Sequence, residues 1–200
     1  MSLVGRLHSR AVHGRRVRTL AARLASVIPP NARVLDVGCG DGAVAALLMQ
    51  SREDLEVSGI DVFVRPTTHI PVVAFDGHRI PFDDAEFDAV VFVDVLHHTE
   101  DPMELLREAV RVAPGAIIVK DHAADGPLAR PILRLMDWVG NAHHGVALPY
   151  NYWSTPRWQR AVAELGLRTE VWQTSLGLYP PPASWIFERE LHLLCRLAAS

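Results

Sequence analysis

The 200-residue chain has only two cysteines, Cys39 and Cys195, too few and too far apart for a disulfide framework or a zinc knuckle. Cys39 sits in a glycine turn and Cys195 in an apolar stripe, which suits small fillers better than nucleophiles. A reducing, cytoplasmic setting is the expectation. No apolar run approaches the roughly 18 residues of a membrane-spanning helix, so no membrane span is expected. The net charge of −3 carries no excess of basic residues, which makes a nucleic-acid polymer an unlikely partner. Internal repeats and flexible linkers are missing too. What is present is 49% hydrophobic content, enough at this length to close one ordinary core.

Acidic residues are absent before Asp36, whereas Arg6, Arg10, Arg15, Arg16, Arg18, Arg23 and Arg33 all precede it. Such a start fits an organellar transit peptide, a basic arm for RNA or membrane, or a cap helix. Val17, Leu20, Ala21, Leu24, Val27 and Ile28 recur at helical spacing, with Arg16, Arg18 and Arg23 on the other face. That stripe favours a helix packed on the domain. The expected division is 1–30 as an amphipathic cap region and 31–200 as the main domain.

The main domain is organised around Val34-Leu35-Asp36-Val37-Gly38-Cys39-Gly40-Asp41-Gly42, which follows the turn-forming Pro29-Pro30-Asn31. It reads as a buried strand, a tight glycine turn and the start of an apolar helix at Ala43. Bare backbone at alternate positions lets a ligand approach closely, and the helix start offers unpaired N–H groups. A nucleotide-like cofactor follows. Gly38-x-Gly40-x-x-Ala43 also scores as a dinucleotide fingerprint, but the carboxylates of Asp36 and Asp41 would repel a pyrophosphate. A cationic ligand suits them better.

Asp36, Gly38, Gly40 and Gly42 together resemble the first motif of class I S-adenosylmethionine-dependent methyltransferases, acidic-x-Gly-x-Gly-x-Gly. The resemblance implies that Asp36, Gly38, Cys39, Gly40 and Gly42 surround the amino-acid end of S-adenosylmethionine. Asp61 closes the short strand Val57 to Ile60, at the distance expected of a ribose-binding carboxylate. The family adds Val62 beneath the adenine, with Asp76 and Gly77, after the strand Pro71 to Phe75, at the adenine edge. A simple Asp-Gly turn is the plainer reading of that pair. The span from Ile80-Pro81-Phe82 through Phe87-Asp88 and the apolar strand Ala89 to Val93 to His97-His98 resembles the small-molecule branch. Asp94, after that strand, is expected on the cofactor side.

The fold class expected is α/β, a single doubly wound Rossmann-like domain with a mostly parallel seven-stranded sheet, its last strand antiparallel by family topology. Phe63 to Ile70 holds Pro66 and is too short for a full crossover helix. Asp101, Pro102 and Glu104 form a capping-box start. Gly115 to Lys120 is a strand, apolar at Ala116 to Val119, that ends in Lys120-Asp121-His122, expected to share one crevice with Asp94 and His97. Period-two alternation from Trp185 to Leu197 predicts the last strand.

Methyl transfer from a sulfonium needs a desolvated, aligned acceptor and a base where the acceptor carries a proton. His122, His143 and His97 are the candidates, because imidazole titrates near neutrality. Tyr150, Tyr152 and Trp153 are expected to wall a flat or apolar acceptor. No metal is expected: Asp94 and Asp121 lack a nearby third ligand other than Asn141, and His122, His143 and His144 lack a zinc spacing. Small-molecule methylation, O-methylation slightly favoured, with S-adenosylhomocysteine as product, leads the alternatives. These are an RNA methyltransferase and a cofactor-binding protein without catalysis. The Asn/Asp-Pro-Pro-aromatic motif of base-amine methylation is replaced here by Asp94-Val95-Leu96-His97.

Overall fold

A computed structural model describes residues 3–141 and 149–199, excepting the side chains of 3–13 and 139–141. The chain begins with α1 (Leu3–Ala25), β1 (Arg33–Val37), α2 (Ala43–Ser51), β2 (Glu56–Asp61), β3 (Val72–Ala74) and β4 (Ala89–Val93). A 3-10 turn at Leu96–His98 leads to α3 (Pro102–Val112), β5 (Ala116–His122), α4 (Ala129–Asn141), α5 (Thr155–Glu164), β6 (Leu167–Gln173), α6 (Ser184–Phe187) and β7 (His192–Ala199). Between β2 and β3 there is no helix, as the proline and the short spacing imply.

The strands form one sheet in the order β3-β2-β1-β4-β5-β7-β6. β1 pairs in parallel with β2 and β4, β2 with β3, and β4 with β5. β7 runs antiparallel to both its neighbours, β5 and β6. Strand order reverses between β1 and β4, so the crevice beyond their carboxyl ends is the ligand position of such sheets.

Alternation along the strands sends side chains to two cores. Leu35, Val37, Val90, Phe92, Ile117 and Val119 meet α3 and α5 on one face. Val34, Val91 and Ile118 meet α1 and α2 on the other. Covering both faces is why β4 and β5 read as unbroken apolar runs. From α1, Leu20, Ala21 and Leu24 are buried in the second core.

Three local readings need correction. The strand β5 extends through Lys120, Asp121 and His122, because β7 continues the pairing with Leu194, Leu193 and His192. Alternation splits these three, with Lys120 on the α1 face and Asp121 on the α3 face. The last strand starts at His192 and not at Trp185. Ser184–Phe187 is a helix whose Trp185 and Ile186 are exposed, so the apolar positions there mark no buried strand face. Asp101 does cap α3 by accepting the Met103 N–H at 2.9 Å, but the carboxylate of Glu104 pairs instead with His78 at 2.8 Å.

Candidate active site

The turn after β1 uses its three glycines differently. All have left-handed backbones, with φ of 73°, 62° and 75° at Gly38, Gly40 and Gly42. A Cβ on Gly38 would lie 2.5 Å from Val95, and one on Gly42 would lie 2.4 Å from Ile70. These two glycines are therefore required by packing. Above Gly40 no atom of the described residues lies within 4 Å, so among them its bare backbone faces open space. Asp41 accepts the Ala43 N–H at 3.1 Å and so serves the start of α2.

Asp61, at the end of β2, is fixed against this turn. One carboxylate oxygen accepts the Gly40 N–H and the other the Phe63 N–H, each at 2.8 Å. Val62 is 63% exposed and lies beside Gly77, where an added Cβ would approach it to 3.1 Å. Asp76 accepts the His78 and Arg79 N–H groups at 2.8 Å each, which hold its carboxyl below the ordinary range. Asp36 is buried beneath the turn, with one oxygen lacking a partner among the described residues. Burial first, and then the charge of Asp61, raises its pKa to about 7. Burial and Asp36 likewise push the Cys39 thiol up to about 12, which makes it a poor nucleophile.

At the end of β4, Asp94 adopts φ 57°, a conformation Asp tolerates. Its carboxylate is held between two cations. Lys120, the chain's single lysine and fully buried, bonds one oxygen, while Arg16 of α1 bonds the other at 2.8 Å. Burial alone would raise the Asp94 pKa, but Lys120 and Arg16 outweigh it and hold the carboxyl well below its usual range. The same burial lowers the Lys120 pKa against the pull of Asp94.

Next to this ion pair lies a buried imidazole cluster. His97 Nδ1 is 2.6 Å from Asp121 Oδ1, and Nε2 is 3.3 Å from Asp137 Oδ2. Burial opposes a charge on His97, but Asp121 and then Asp137 override it and push the pKa up to about 10. His122 sits edge-on, with ring centroids 4.8 Å apart. Its Nδ1 donates to the Leu191 carbonyl at 3.2 Å, and its Nε2 faces Asp94 at 3.6 Å. Burial, with Lys120 and His97, lowers the His122 pKa to about 4. The surroundings thus favour the charged form of His97 and the neutral form of His122. Tyr152 donates to Asp137 and stacks on His97 at 5.5 Å.

Comparison with known proteins gives this geometry a context. The methyltransferase domain family matches residues 8–171. The chain belongs to that family. The 27-O-demethylrifamycin SV methyltransferase of Amycolatopsis mediterranei (strain S699) is 32% identical over 108 residues, covering 46% of this chain and 39% of that protein. The 2-methyl-6-phytyl-1,4-hydroquinone methyltransferase of Synechocystis sp. is 27% identical over 140 residues, 64% of this chain and 38% of that protein. The chain thus spans about four tenths of the length of these two relatives. Among solved structures, the 1,6-didemethyltoxoflavin-N1-methyltransferase of Burkholderia thailandensis, with bound 1,6-didemethyltoxoflavin and S-adenosylhomocysteine, shares the fold. Its TM-score is 0.67 at 18% identity, over 92% of this chain and 78% of that one.

In this methyltransferase domain the expected cofactor residues Asp36, Gly38, Cys39, Gly40, Gly42, Asp61, Val62, Asp76 and Gly77 line the ends of β1, β2 and β3. Asp94 reaches the same edge, although its carboxylate is committed to Lys120 and Arg16. Of the expected bases, His97 and His122 come together but are buried to 2% and 3% exposure, and His143 lies outside the described residues. Of the expected aromatic wall, Trp153 is core, packed on Trp158 at 4.8 Å, and Tyr152 is buried. Tyr150 keeps partial exposure. Sequence reasoning missed Arg16 as a partner of Asp94, since the two stand 78 positions apart. Asp137 was missed as well, because it interrupts the apolar stripe of α4 without matching any motif. No helix among the described residues is long and apolar enough to cross a membrane.

Proposed function

We propose that the chain transfers a methyl group from S-adenosylmethionine to a small-molecule acceptor, with a hydroxyl oxygen as the favoured site. The observation that carries this reading is the open backbone of Gly40 tied at 2.8 Å to Asp61. A bare cradle and a fixed acidic acceptor stand together at the switch point of the sheet. The buried oxygen of Asp36 that lacks a partner among the described residues fits a cationic ligand more readily than a pyrophosphate. Gly38, Gly40 and Gly42 would hold the amino-acid end, Asp61 the ribose hydroxyls, and Val62, Asp76 and Gly77 the adenine. When bound, the cofactor supplies an electrophilic methyl on a sulfonium and leaves as S-adenosylhomocysteine. The S-adenosylhomocysteine bound in the similarly folded 1,6-didemethyltoxoflavin-N1-methyltransferase supports the same choice.

The acceptor would lie beyond the carboxyl ends of β4 and β5. We assign proton removal to the imidazole cluster there, with His122 as the acceptor of the proton and His97 beside it, while His143 stays a candidate from sequence. An apolar or aromatic acceptor fits the rifamycin and hydroquinone substrates named for the relatives. Residues 1–30 would act as the cap of domain 31–200, and two free thiols suit a reducing cytoplasm. A second reading, cofactor binding without transfer, draws on the Arg16 to Asp94 contact, which lays α1 across the acceptor side.

Calorimetric titration with S-adenosylmethionine and with NADH, on the native protein and on Asp61→Ala, tests the proposal. Micromolar binding of S-adenosylmethionine alone, weakened in the variant, is expected. Folded protein that binds NADH, or neither compound, overturns it. Label transfer from methyl-labelled cofactor to a panel of phenolic and aliphatic alcohols then separates transfer from binding alone.

A further inference from the structure

Beyond the cofactor turn, three donors converge at the carboxyl ends of β4 and β5. His97, His98 and Asp137 each place a ligand atom within 4.8 Å of the others. We propose that these residues form a binding site for one divalent transition-metal ion of the borderline class that zinc represents. Two imidazole nitrogens and one carboxylate oxygen are the donor set of open zinc sites, which leave a further position for an oxygen ligand.

The surroundings are built as such sites require. Asp121 fixes His97 by pairing with Nδ1 at 2.6 Å, which leaves Nε2 directed at Asp137, 3.3 Å away. Carboxylate-oriented histidines of this kind are the usual second layer of a metal centre. Tyr152 holds the Asp137 carboxylate in the same way. His97 Nε2 and His98 Nδ1 are buried, and neither has a hydrogen-bond partner among the described residues. An unpaired buried nitrogen such as His98 Nδ1 is costly, and an ion bound there removes that cost while displacing the proton that His97 Nε2 holds toward Asp137, so uptake releases a proton. The His97 and His98 rings lie 4.0 Å apart, on successive residues of the 3-10 turn. Asp121 and His122 make a rival triad with His97. That set is less suited, because the two Asp121 oxygens already accept from His97, His122 and Leu96.

This assignment departs from the sequence reading, which expected no metal and looked to Asp94 and Asp121. The open position would take an acceptor hydroxyl, and that use rests on the methyl-transfer reading. Ion binding itself does not.

The test is titration of the chelator-stripped full chain with Zn2+ alone, in competition with a chromophoric chelator, and with Co2+ read by its visible absorption. One equivalent per chain is expected, with His98→Ala and Asp137→Asn each weakening it at least tenfold. Asp121→Asn should weaken it about 10- to 100-fold. Thermal melts in chelator identify variants that fail to fold. Where Asp137→Asn fails, His98→Gln at the half-buried position carries the test. No saturable uptake overturns the assignment. So does one equivalent retained undiminished in the folded variants. Cofactor calorimetry repeated in chelator keeps a failed metal site distinct from a failed methyltransferase reading.

Discussion

Arg16 Nη2 lies 2.8 Å from Asp94 Oδ2, so the N-terminal helix is tied to the carboxyl end of β4. The other Asp94 oxygen is taken by Lys120, which is fully buried, whereas the Arg16 side chain is 32% exposed. The two cations are therefore not equivalent. Replacing Asp94 by Asn strands a buried ammonium and should cost about 3–5 kcal/mol. Replacing Arg16 by Gln removes a solvent-screened partner and should cost about 1 kcal/mol or less. At this chain length each kcal/mol lowers Tm by roughly 2–4 °C. Thermal melts of the two single variants, and of Asp94→Asn with Lys120→Met, check the ordering. The double variant should recover much of the loss. Equal losses in the two singles would contradict the assignment of Lys120 as the dependent charge.

A related prediction concerns the cap. Leu20, Ala21, Leu24, Val27 and Ile28 are all at most 4% exposed and pack with Ala45 and Leu48. Deleting residues 1–30 uncovers that face, so the shortened chain should melt lower and aggregate. A removable presequence would leave Tm unchanged, and the comparison of the two melts decides.

The glycine turn separates folding from binding. Gly42→Ala combines φ 75° with an approach of 2.4 Å to Ile70, so stability should fall by about 2–3 kcal/mol. Gly40→Ala meets no described residue within 4 Å and should cost only the left-handed backbone term of about 1–2 kcal/mol. Its new methyl enters the open space of the proposed cofactor cradle, so S-adenosylmethionine affinity should drop at least tenfold in protein that still folds. Melts and calorimetry on both variants test the division.

These contrasts also mark how far the sequence could be read. The strand, glycine turn and helix around Asp36 were legible because alternation, bare backbone and apolar runs are local signals. So was the antiparallel last strand, given the family's topology. That Gly38 and Gly42 answer to Val95 and Ile70 was not legible, since each contact joins segments distant in sequence. Lys120, Asp121 and His122 looked like three groups facing one crevice. The pleat puts Asp121 on the other face from Lys120 and His122, yet Lys120 and His122 meet Asp94 and Asp121 meets His97; what was not legible is that β7 buries them by pairing further than apolarity suggests. The helix at Ser184–Phe187 shared period two with the strand behind it for only a few residues, too short a stretch for periodicity to decide.

Asp36 supplies the pH dependence. Its carboxyl is buried, one oxygen lacks a partner among the described residues, and burial with the nearby Asp61 raises its pKa from an ordinary 3.8 to about 7. A raised carboxyl pKa means that the folded chain holds this proton more tightly than the unfolded one. The stabilisation is therefore complete below the unfolded value and is lost as pH rises through the folded one. Over that window the slope for one group is about 1.4 kcal/mol per pH unit. Between pH 5 and 7 this amounts to roughly 2–3 kcal/mol, or a fall in Tm on the order of 5–10 °C. Asp36→Asn keeps the shape and removes the charge, so its melting temperature should change much less over the same range. The variant should also exceed the native chain in stability at pH 8, where the native carboxyl is ionised and buried. Differential scanning calorimetry of both proteins without cofactor, at pH 5, 6, 7 and 8, makes the comparison. Parallel curves would show that Asp36 is ionised throughout, held by a partner or water outside the contacts described, and would weaken its place as a waiting site for a cationic ligand.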